Sequence, residues 1–147
     1  MTSSASGPQL PTVTPRLLVT DGAAAIEFYK NAFNAQEPGE RYTDPDGHLI
    51  HAEIQIGNAI VALSDDDEDS PEHLGGRVTA IMETQWPDVD LAWQRALASG
   101  AEIIFPLADQ FYGQRSGRLR DPFGQQWILS QPISRKVSPD LARSPAK

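Results

Sequence analysis

His51 and Glu53 are the residues whose types and spacing most directly suggest chemistry in this sequence. They stand two positions apart in an alternating stretch, so on a β-strand both side chains point to the same side of the sheet. An imidazole and a carboxylate placed in this way can supply two ligands to a divalent metal ion. The same pair can instead line a hydrated cavity wall and hydrogen-bond to each other or to neighbours. We favour this second interpretation, because no third ligand can be assigned.

A run of acidic residues in the middle of the chain resembles part of a calcium-binding loop. Asp65, Asp67 and Asp69 occupy the first, third and fifth positions of such a loop. However, Ser70 stands where the loop requires glycine, and Gly76 stands where it requires glutamate. The run therefore predicts a solvated acidic loop rather than a calcium site.

The composition of the 147-residue chain excludes several classes of function. Twenty acidic residues against 12 basic ones give a formal net charge of -8, which argues against nucleic acid and against an anionic membrane surface as partners. Without cysteine there is no disulfide, zinc–thiolate site or thiol nucleophile. The longest apolar run, residues 59–63, is far shorter than the ~20 residues that span a bilayer. With no secretory leader in the sequence, we expect a cytoplasmic protein.

The elements that must position these residues form the same pattern twice. In the first half Asp21 suits a helix N-cap, Ile26, Tyr29 and Phe33 form an apolar helical stripe, and Asn34 ends the helix. In the second half Pro87 and Asp88 begin a helix that Gly100 ends. Each half therefore reads as a βαβββ module. The predicted strands are residues 14–20, 39–43, 48–56 and 59–64 in the first half, and 77–83, 101–106, 112–120 and 125–130 in the second.

These patterns predict an α+β fold in which the two modules share a core. We expect a concave mixed sheet of about eight strands around a cleft, with the helices on the outer face. The predicted organisation is a tail at residues 1–10, modules at 11–65 and 77–133, an acidic linker at 66–76 and a second tail at 134–147.

Three segments carry a resemblance to a known family. Asp21 with residues 24–30, Ala-Ala-Ile-Glu-Phe-Tyr-Lys, is the first of them. Residues 44–53, Asp-Pro-Asp-Gly-His-Leu-Ile-His-Ala-Glu, and residues 112–127, which contain Asp-Pro-Phe-Gly-Gln-Gln-Trp, follow it in the same order and spacing. The chain resembles the vicinal-oxygen-chelate superfamily over about residues 12–131, and most of all its PhnB-like, glyoxalase/bleomycin-resistance/dioxygenase branch. The resemblance implies the fold more strongly than the function, since this scaffold carries lyases, dioxygenases, isomerases, transferases and drug-sequestering binders.

The resemblance also implies where metal ligands would stand. By position they would fall at Thr14, at Ile128, and at Thr79 or Ala80. Threonine is a poor ligand for a divalent metal, and isoleucine and alanine offer none. We therefore expect the family's metal site to be absent, with no metal and no other cofactor.

The resemblance further implies which strand faces line the cleft. A guanidinium in such a cleft offers paired donors, and aromatic rings offer stacking area, which suits an oxygen-rich or planar organic ligand. For Arg16 and Arg118 the alternative is an internal ion pair with Glu53 or Glu40. The candidate ligand-binding residues are Arg16, His51, Glu53, Phe111, Tyr112, Gln114, Ser116, Arg118 and Ile128.

Two functions of different class remain open from the sequence, and whether the protein is an enzyme is undecided. The first is a metal-free module that sequesters or carries a small molecule, which includes sensing a metabolite. The second is a metal-dependent lyase, dioxygenase or isomerase of the vicinal-oxygen-chelate type. The resemblance implies a homodimer with two equivalent clefts, and we expect neither nucleic acid nor a membrane as a partner.

Overall fold

The computed structural model describes residues 11–75, 77 and 80–133, and it has the predicted α+β architecture of two βαβββ modules. The first module contains β1 (Arg16–Val19), α1 (Gly22–Phe33), β2 (Tyr42–Thr43), β3 (Leu49–Ile56) and β4 (Ala59–Asp65). The second contains β5 (Ile81–Gln85), α2 (Val89–Ala98), β6 (Glu102–Asp109), β7 (Gln114–Arg120) and β8 (Gln126–Pro132).

The eight strands form two four-stranded mixed sheets, one in each module. Their strand orders are β1-β4-β3-β2 and β5-β8-β7-β6, with the first pair in each sheet parallel and the others antiparallel. Each sheet packs one face on the helices, and we call the opposite face its open face. At the end of the second sheet, β6 contains Pro106, and its register against β7 shifts twice, around Phe105.

Helix α1 begins and ends where the sequence predicts. The Asp21 carboxylate accepts a hydrogen bond from the Ala24 amide at 3.1 Å, which satisfies one of the free N–H groups of the first turn. Asn34 ends the helix in the left-handed conformation, with φ of 56°. The predicted stripe is buried, including Ile26 and Tyr29. Neither helix in the described residues is long and apolar enough to cross a membrane.

The two modules meet through their helices and around one buried carboxylate. Asp121, 3% exposed, lies in the β7–β8 turn, and its Oδ2 accepts from Tyr29 of α1 at 2.5 Å and from the Trp127 indole at 2.8 Å. Its Oδ1 accepts from the amides of Phe123 and Gln125 at 2.8 and 3.0 Å. A buried polar group is tolerated when its hydrogen bonds are satisfied. Asp121 therefore joins the first helix to the second module without leaving its carboxylate oxygens unsatisfied.

The Tyr29 phenol should make stability fall at alkaline pH. Burial raises the pKa of Tyr29 well above its ordinary value of 10.0, and the neighbouring Asp121 carboxylate raises it further. The unfolded chain loses this proton above about pH 10 while the folded chain keeps it, so the stabilisation is complete below that pH and declines above it. Urea unfolding between about pH 9 and pH 11 should show a steeper loss for the wild type than for Tyr29→Phe. Equal slopes would contradict this.

The structure corrects three sequence predictions. The first strand of the second module begins at Ile81 rather than at residue 77, and β2 covers only Tyr42–Thr43 of the predicted residues 39–43. The acidic run is also not uniformly solvated. The Asp65 carboxylate accepts from the amides of Gly22 and Leu49, at 2.7 and 2.8 Å.

Asp66, the next residue of the acidic run, organises the loop that follows. Its carboxylate accepts from the His73 ring and from the amides of Leu74 and Gly75. Burial alone would raise the pKa of Asp66, but these hydrogen bonds together hold that pKa below its ordinary value. The loop is therefore built around an ionised carboxylate at neutral pH.

Gly117 sets the distance between β7 and α2, which gives a test of the packing. A Cβ at this position would lie 2.6 Å from Cη2 of Trp93 and 2.8 Å from the backbone nitrogen of Leu107. We expect Gly117→Ala to lower the free energy of unfolding by about 1–3 kcal/mol, because the added methyl overpacks the core. Gly39→Ala is the control, since nothing lies within 4 Å of a Cβ there. Equal urea midpoints for the two variants would refute this.

Candidate functional site

Three predicted residues, Arg16, His51 and Glu53, lie together on the open face of the first sheet. One Nη of Arg16 lies 3.4 Å from Nδ1 of His51, and the other donates to the Ile50 carbonyl at 2.9 Å. His51 Nε2 lies 3.4 Å from a Glu53 carboxylate oxygen. With Tyr42, whose ring centroid is 6.4 Å from that of His51, these residues form what we call the first half-site.

The first half-site is built by strand alternation. On β1 the side chains of Leu17 and Val19 enter the core, which turns Arg16 to the open face. On β3 the core takes Ala52 and Ile54 in the same way. Within the described residues the Arg16 guanidinium contacts the His51 ring and the Ile50 carbonyl, and it is in no salt bridge with Glu53 or Glu40.

Four predicted residues lie on the open face of the second sheet. Leu119 enters the core and Gly117 contacts α2, which turns Gln114, Ser116 and Arg118 of β7 to the open face. Ile128 of β8 is the register partner of Arg118.

The aromatic residues Phe105, Phe111 and Tyr112 complete this group. The Arg118 guanidinium lies over the ring of Phe105, 5.3 Å from its centroid. Phe111 and Tyr112 form an exposed edge-to-face pair in the β6–β7 turn, and the Tyr112 hydroxyl lies 3.4 Å from that of Ser116. We call these residues, with Gln114, Arg118 and Ile128, the second half-site.

Two polar atoms of the second half-site are buried without a hydrogen-bond partner in the described part of the chain. They are Oε1 of Gln114 and Nε of Arg118. Arg118 has one weak polar contact, from Nη1 to Oε1 of Gln126 at 3.4 Å, and it lies in no salt bridge among the described residues. An unsatisfied buried donor or acceptor costs free energy, so both side chains have hydrogen-bonding capacity that the described residues do not use.

Glu83 is a charged residue of this face that the sequence prediction missed. The structure pairs Glu83 of β5 with Ile128 of β8, and its exposed side chain lies on the open face because Met82 and Thr84 turn toward the helices. The correct register of β5 against β8 would have placed Glu83 on this face, because Ile81, Glu83 and Gln85 alternate along the strand with Met82 and Thr84.

The positions to which the resemblance assigns metal ligands hold no imidazole or carboxylate. Thr14 is exposed before β1, Ala80 is exposed before β5, and Ile128 is half-buried in β8. Thr79 lies outside the described residues. Three metal-ligand side chains do meet at the β2–β3 turn, namely Asp44, Asp46 and His48. However, both oxygens of Asp44 accept hydrogen bonds from within that turn.

The structure brings the predicted residues together as two separate groups. No hydrogen bond or salt bridge joins the first half-site to the second across residues 11–75, 77 and 80–133. The modules contact each other through α1 and α2, and Arg95 of α2 donates to the Asn31 carbonyl of α1. Each half-site therefore lies on its own sheet, on the face turned away from the helices.

A direct sequence comparison agrees with this fold. Residues 10–129 match the Glyoxalase/Bleomycin resistance protein/Dioxygenase superfamily. The chain belongs to this superfamily. It is 44% identical over 137 residues to the uncharacterized protein Rv0887c of Mycobacterium tuberculosis, which covers 88% of this chain and 79% of the relative. A protein of Mycobacterium bovis, uncharacterized protein Mb0911c, has the same identity and is covered to 88%.

Several solved structures share the fold. TioX from Micromonospora sp. ML1 superposes with a TM-score of 0.63 at 25% identity, covering 86% of this chain and 99% of TioX. A PhnB protein from Bacillus cereus gives 0.64 at 20% identity, covering 82% and 99%. The fosfomycin resistance protein FosX from Listeria monocytogenes, solved with Mn(II) and sulfate, gives 0.62 at 21% identity, covering 89% and 93%.

Proposed function

We propose that this superfamily member is a metal-free homodimer that binds a small oxygen-rich or planar organic molecule, for sequestration or carriage. Each cleft would combine the first half-site of one chain with the second half-site of its partner. One observation carries the proposal: the two half-sites lie on separate sheets of the same chain, and each sheet leaves its open face uncovered.

The exposed apolar side chains support a partner over these faces. Phe105 is 57% exposed and Tyr112 60% exposed on the second sheet, and Tyr42 is 57% exposed on the first. Clustered exposure of large apolar groups is typical of a surface that binds another molecule. A second copy of the chain would cover both open faces at once through a two-fold axis.

The polar groups support the class of ligand. Arg118 has a buried Nε that can donate, and Gln114 has a buried Oε1 that can accept. A guanidinium recognises carboxylate, phosphonate or carbonyl oxygens, and the rings of Phe105 and Tyr112 can stack on a flat ligand. The half-sites therefore suit a molecule that has both acceptor oxygens and a planar part.

The donor set does not fit the family's metal, which favours a binding function over a lyase, dioxygenase or isomerase. At the positions that would hold the ion, Thr14 is a weak ligand and Ile128 has no donor atom. His51 and Glu53 form a pair, but the contact of His51 with Arg16 places a positive charge beside the position that a metal would occupy.

A thermal-shift screen with two arms tests the function. The first arm uses bleomycin and the planar anthracycline doxorubicin, and the second uses Zn²⁺, Ni²⁺, Mn²⁺ and Fe²⁺. We expect at least one antibiotic to raise the Tm of the protein by an amount that grows with antibiotic concentration. We expect no specific rise in Tm with the metal ions. A stoichiometric divalent ion in the purified protein, released only by a chelator, would overturn the proposal in favour of the metal-dependent enzyme.

The homodimer can be tested separately. Light scattering at micromolar concentration should give twice the mass of the chain, which is 16.1 kDa. Phe105→Asp should shift the mass toward that of a monomer, because it places a charge on the apolar open face. Val13→Asp, at a 77% exposed apolar residue before β1, is the control and should leave the mass unchanged. A wild-type monomer would refute the shared cleft.

A further inference from the structure

A cavity of about 810 Å³ lies between the two modules, away from both half-sites. None of the predicted ligand-binding residues lines it. Its walls come from the ends of α1 and α2, the β3–β4 turn, β5 and the segment before β1. This volume is within the range of pockets that hold small organic ligands, and the boundary between two modules is a common place for such pockets.

Aromatic and apolar side chains dominate the cavity, and one of them is held in a fixed orientation. The Trp86 indole donates to the Thr84 hydroxyl at 2.6 Å, and that hydroxyl donates to the Ile128 carbonyl at 2.8 Å. The ring packs against Phe33, with centroids 5.8 Å apart, and is only half-buried. Trp86 therefore offers a rigid ring surface on which a flat molecule can stack.

The open backbone edge of β5 adds donors and acceptors to this cavity. The Trp86 amide donates to the Ser130 carbonyl of β8, and along a strand the N–H and C=O groups of successive residues point to opposite sides. Those of Gln85 and Glu83 therefore both point away from β8. Because β5 ends its sheet, these N–H and C=O groups have no strand beside them. Glu83 and Gln85 both line the cavity.

On the opposite wall of the cavity, the backbone carbonyl of Ile60 lacks the donor that a regular strand pairing would give it. The Ala62 amide donates to the Pro15 carbonyl, so Ala62 faces β1, and Ile60, two residues earlier, faces the same way. The next ladder bond would run from the nitrogen of residue 15 to the Ile60 carbonyl, but proline has no N–H. Ile60 lines the cavity, and its carbonyl is available to a ligand donor.

Three charged residues line the cavity, and two of them are engaged within the described part of the chain. Asp88 caps α2 by accepting from the Leu91 amide, and Arg95 donates to the Asn31 carbonyl. The third, Glu83, turns its side chain to the open face of the second sheet, so the backbone N–H and C=O groups are the groups placed to recognise a ligand, and they suit an amide. We propose that this cavity is a second binding site, which takes a flat, uncharged aromatic molecule with an amide or lactam edge. The ring stacks on Trp86, and the amide edge bonds to the backbone of β5.

Phenanthridinone, a flat uncharged lactam, is the probe, and its N-methyl derivative is the matched control because it lacks the N–H donor. Binding is followed by quenching of tryptophan fluorescence. We expect saturable quenching by the lactam and at least tenfold weaker binding of the N-methyl form. Trp86→Phe should reduce the quenching, because it removes the fluorophore on which the probe stacks, while Trp127, which also lines the cavity, keeps a part of it.

Variants then locate the site. Ala59→Phe fills the cavity from an exposed position and should weaken binding at least tenfold, while Ala98→Phe, exposed at the end of α2 outside the cavity, should not change it. Leu91→Asn, at the exposed rim, is a second variant that should weaken binding. Equal binding of both probe forms, or no effect of Ala59→Phe and Leu91→Asn, would overturn the proposal. So would loss of binding in Arg118→Ala, which would assign the probe to the cleft.

Discussion

Replacing Asp121 with alanine is expected to lower the free energy of unfolding by about 3–5 kcal/mol, the largest stability effect of any substitution considered for this fold. The carboxylate accepts four hydrogen bonds, from Tyr29, Trp127 and the amides of Phe123 and Gln125. Alanine would leave these buried donors unsatisfied, whereas the unfolded chain exposes them to water. Urea unfolding followed by circular dichroism measures the loss.

Two further variants separate the contribution of the module contact from that of the turn. Tyr29→Phe removes only the bond from α1 and should cost about 1–2 kcal/mol. In Asp121→Ala the same change should cost much less, because its partner is already missing. A loss below about 1 kcal/mol for Asp121→Ala, or full additivity of the two changes, would contradict the role of Asp121 as the link between the modules.

Mixing two variants that each bind the antibiotic poorly should restore part of the binding, if each cleft is shared between two chains. Arg16→Ala damages the first half-site and Arg118→Ala the second, so each homodimer should bind the antibiotic that performs best in the thermal-shift screen at least tenfold more weakly. After subunit exchange, a mixed dimer has one cleft with both defects and one with none. About one cleft in four should then bind with wild-type affinity, because about half of the dimers are mixed.

The control for this experiment puts both substitutions in one chain. When this double variant is mixed with wild type, each cleft of a mixed dimer receives one damaged half-site from it. Only the remaining wild-type dimers should then bind the antibiotic with full affinity. If the cleft were instead built within one chain, mixing Arg16→Ala with Arg118→Ala would restore nothing, and the shared-cleft proposal would fail. Thermal melts of the separate variants check that each remains folded.

Local features of the fold could be predicted from the sequence because they depend on near neighbours. Asp21 caps α1 through its own side chain, and Asn34 ends the helix because asparagine tolerates the left-handed conformation. The alternation of Trp127 and Leu129 with Ile128 on β8 also follows from strand geometry alone. Such features were sufficient to recognise the βαβββ repeat.

The register of β5 could not be predicted from the same kind of information. Residues 77–85 are rich in side chains that suit a strand, so local preference does not choose where the strand begins. The choice depends on pairing with β8, where Met82 is opposite Trp127 and Glu83 opposite Ile128. That partner lies more than 40 residues away in the chain, and the missed Glu83 is a direct result.

The separation of the half-sites and the cavity between the modules also depend on long-range packing. Sequence patterns indicate which face of a strand is polar, but not how two modules are rotated about their shared helices. The predicted site residues were therefore assigned to the correct faces, such as Arg16 on β1 and Arg118 on β7, without revealing that the two groups lie apart in one chain. The cavity at Trp86 likewise exists only because residues of α1 and α2 lie beside that ring.

The irregular last strand of the second sheet has a consequence for behaviour at high concentration. A long regular edge with unpaired N–H groups can template the addition of further chains and lead to fibrils. Pro106 removes one N–H from β6, and the two register shifts around Phe105 bend that edge out of line. A further chain therefore meets an interrupted ladder along this edge, which disfavours open-ended polymerisation through this side of the sheet.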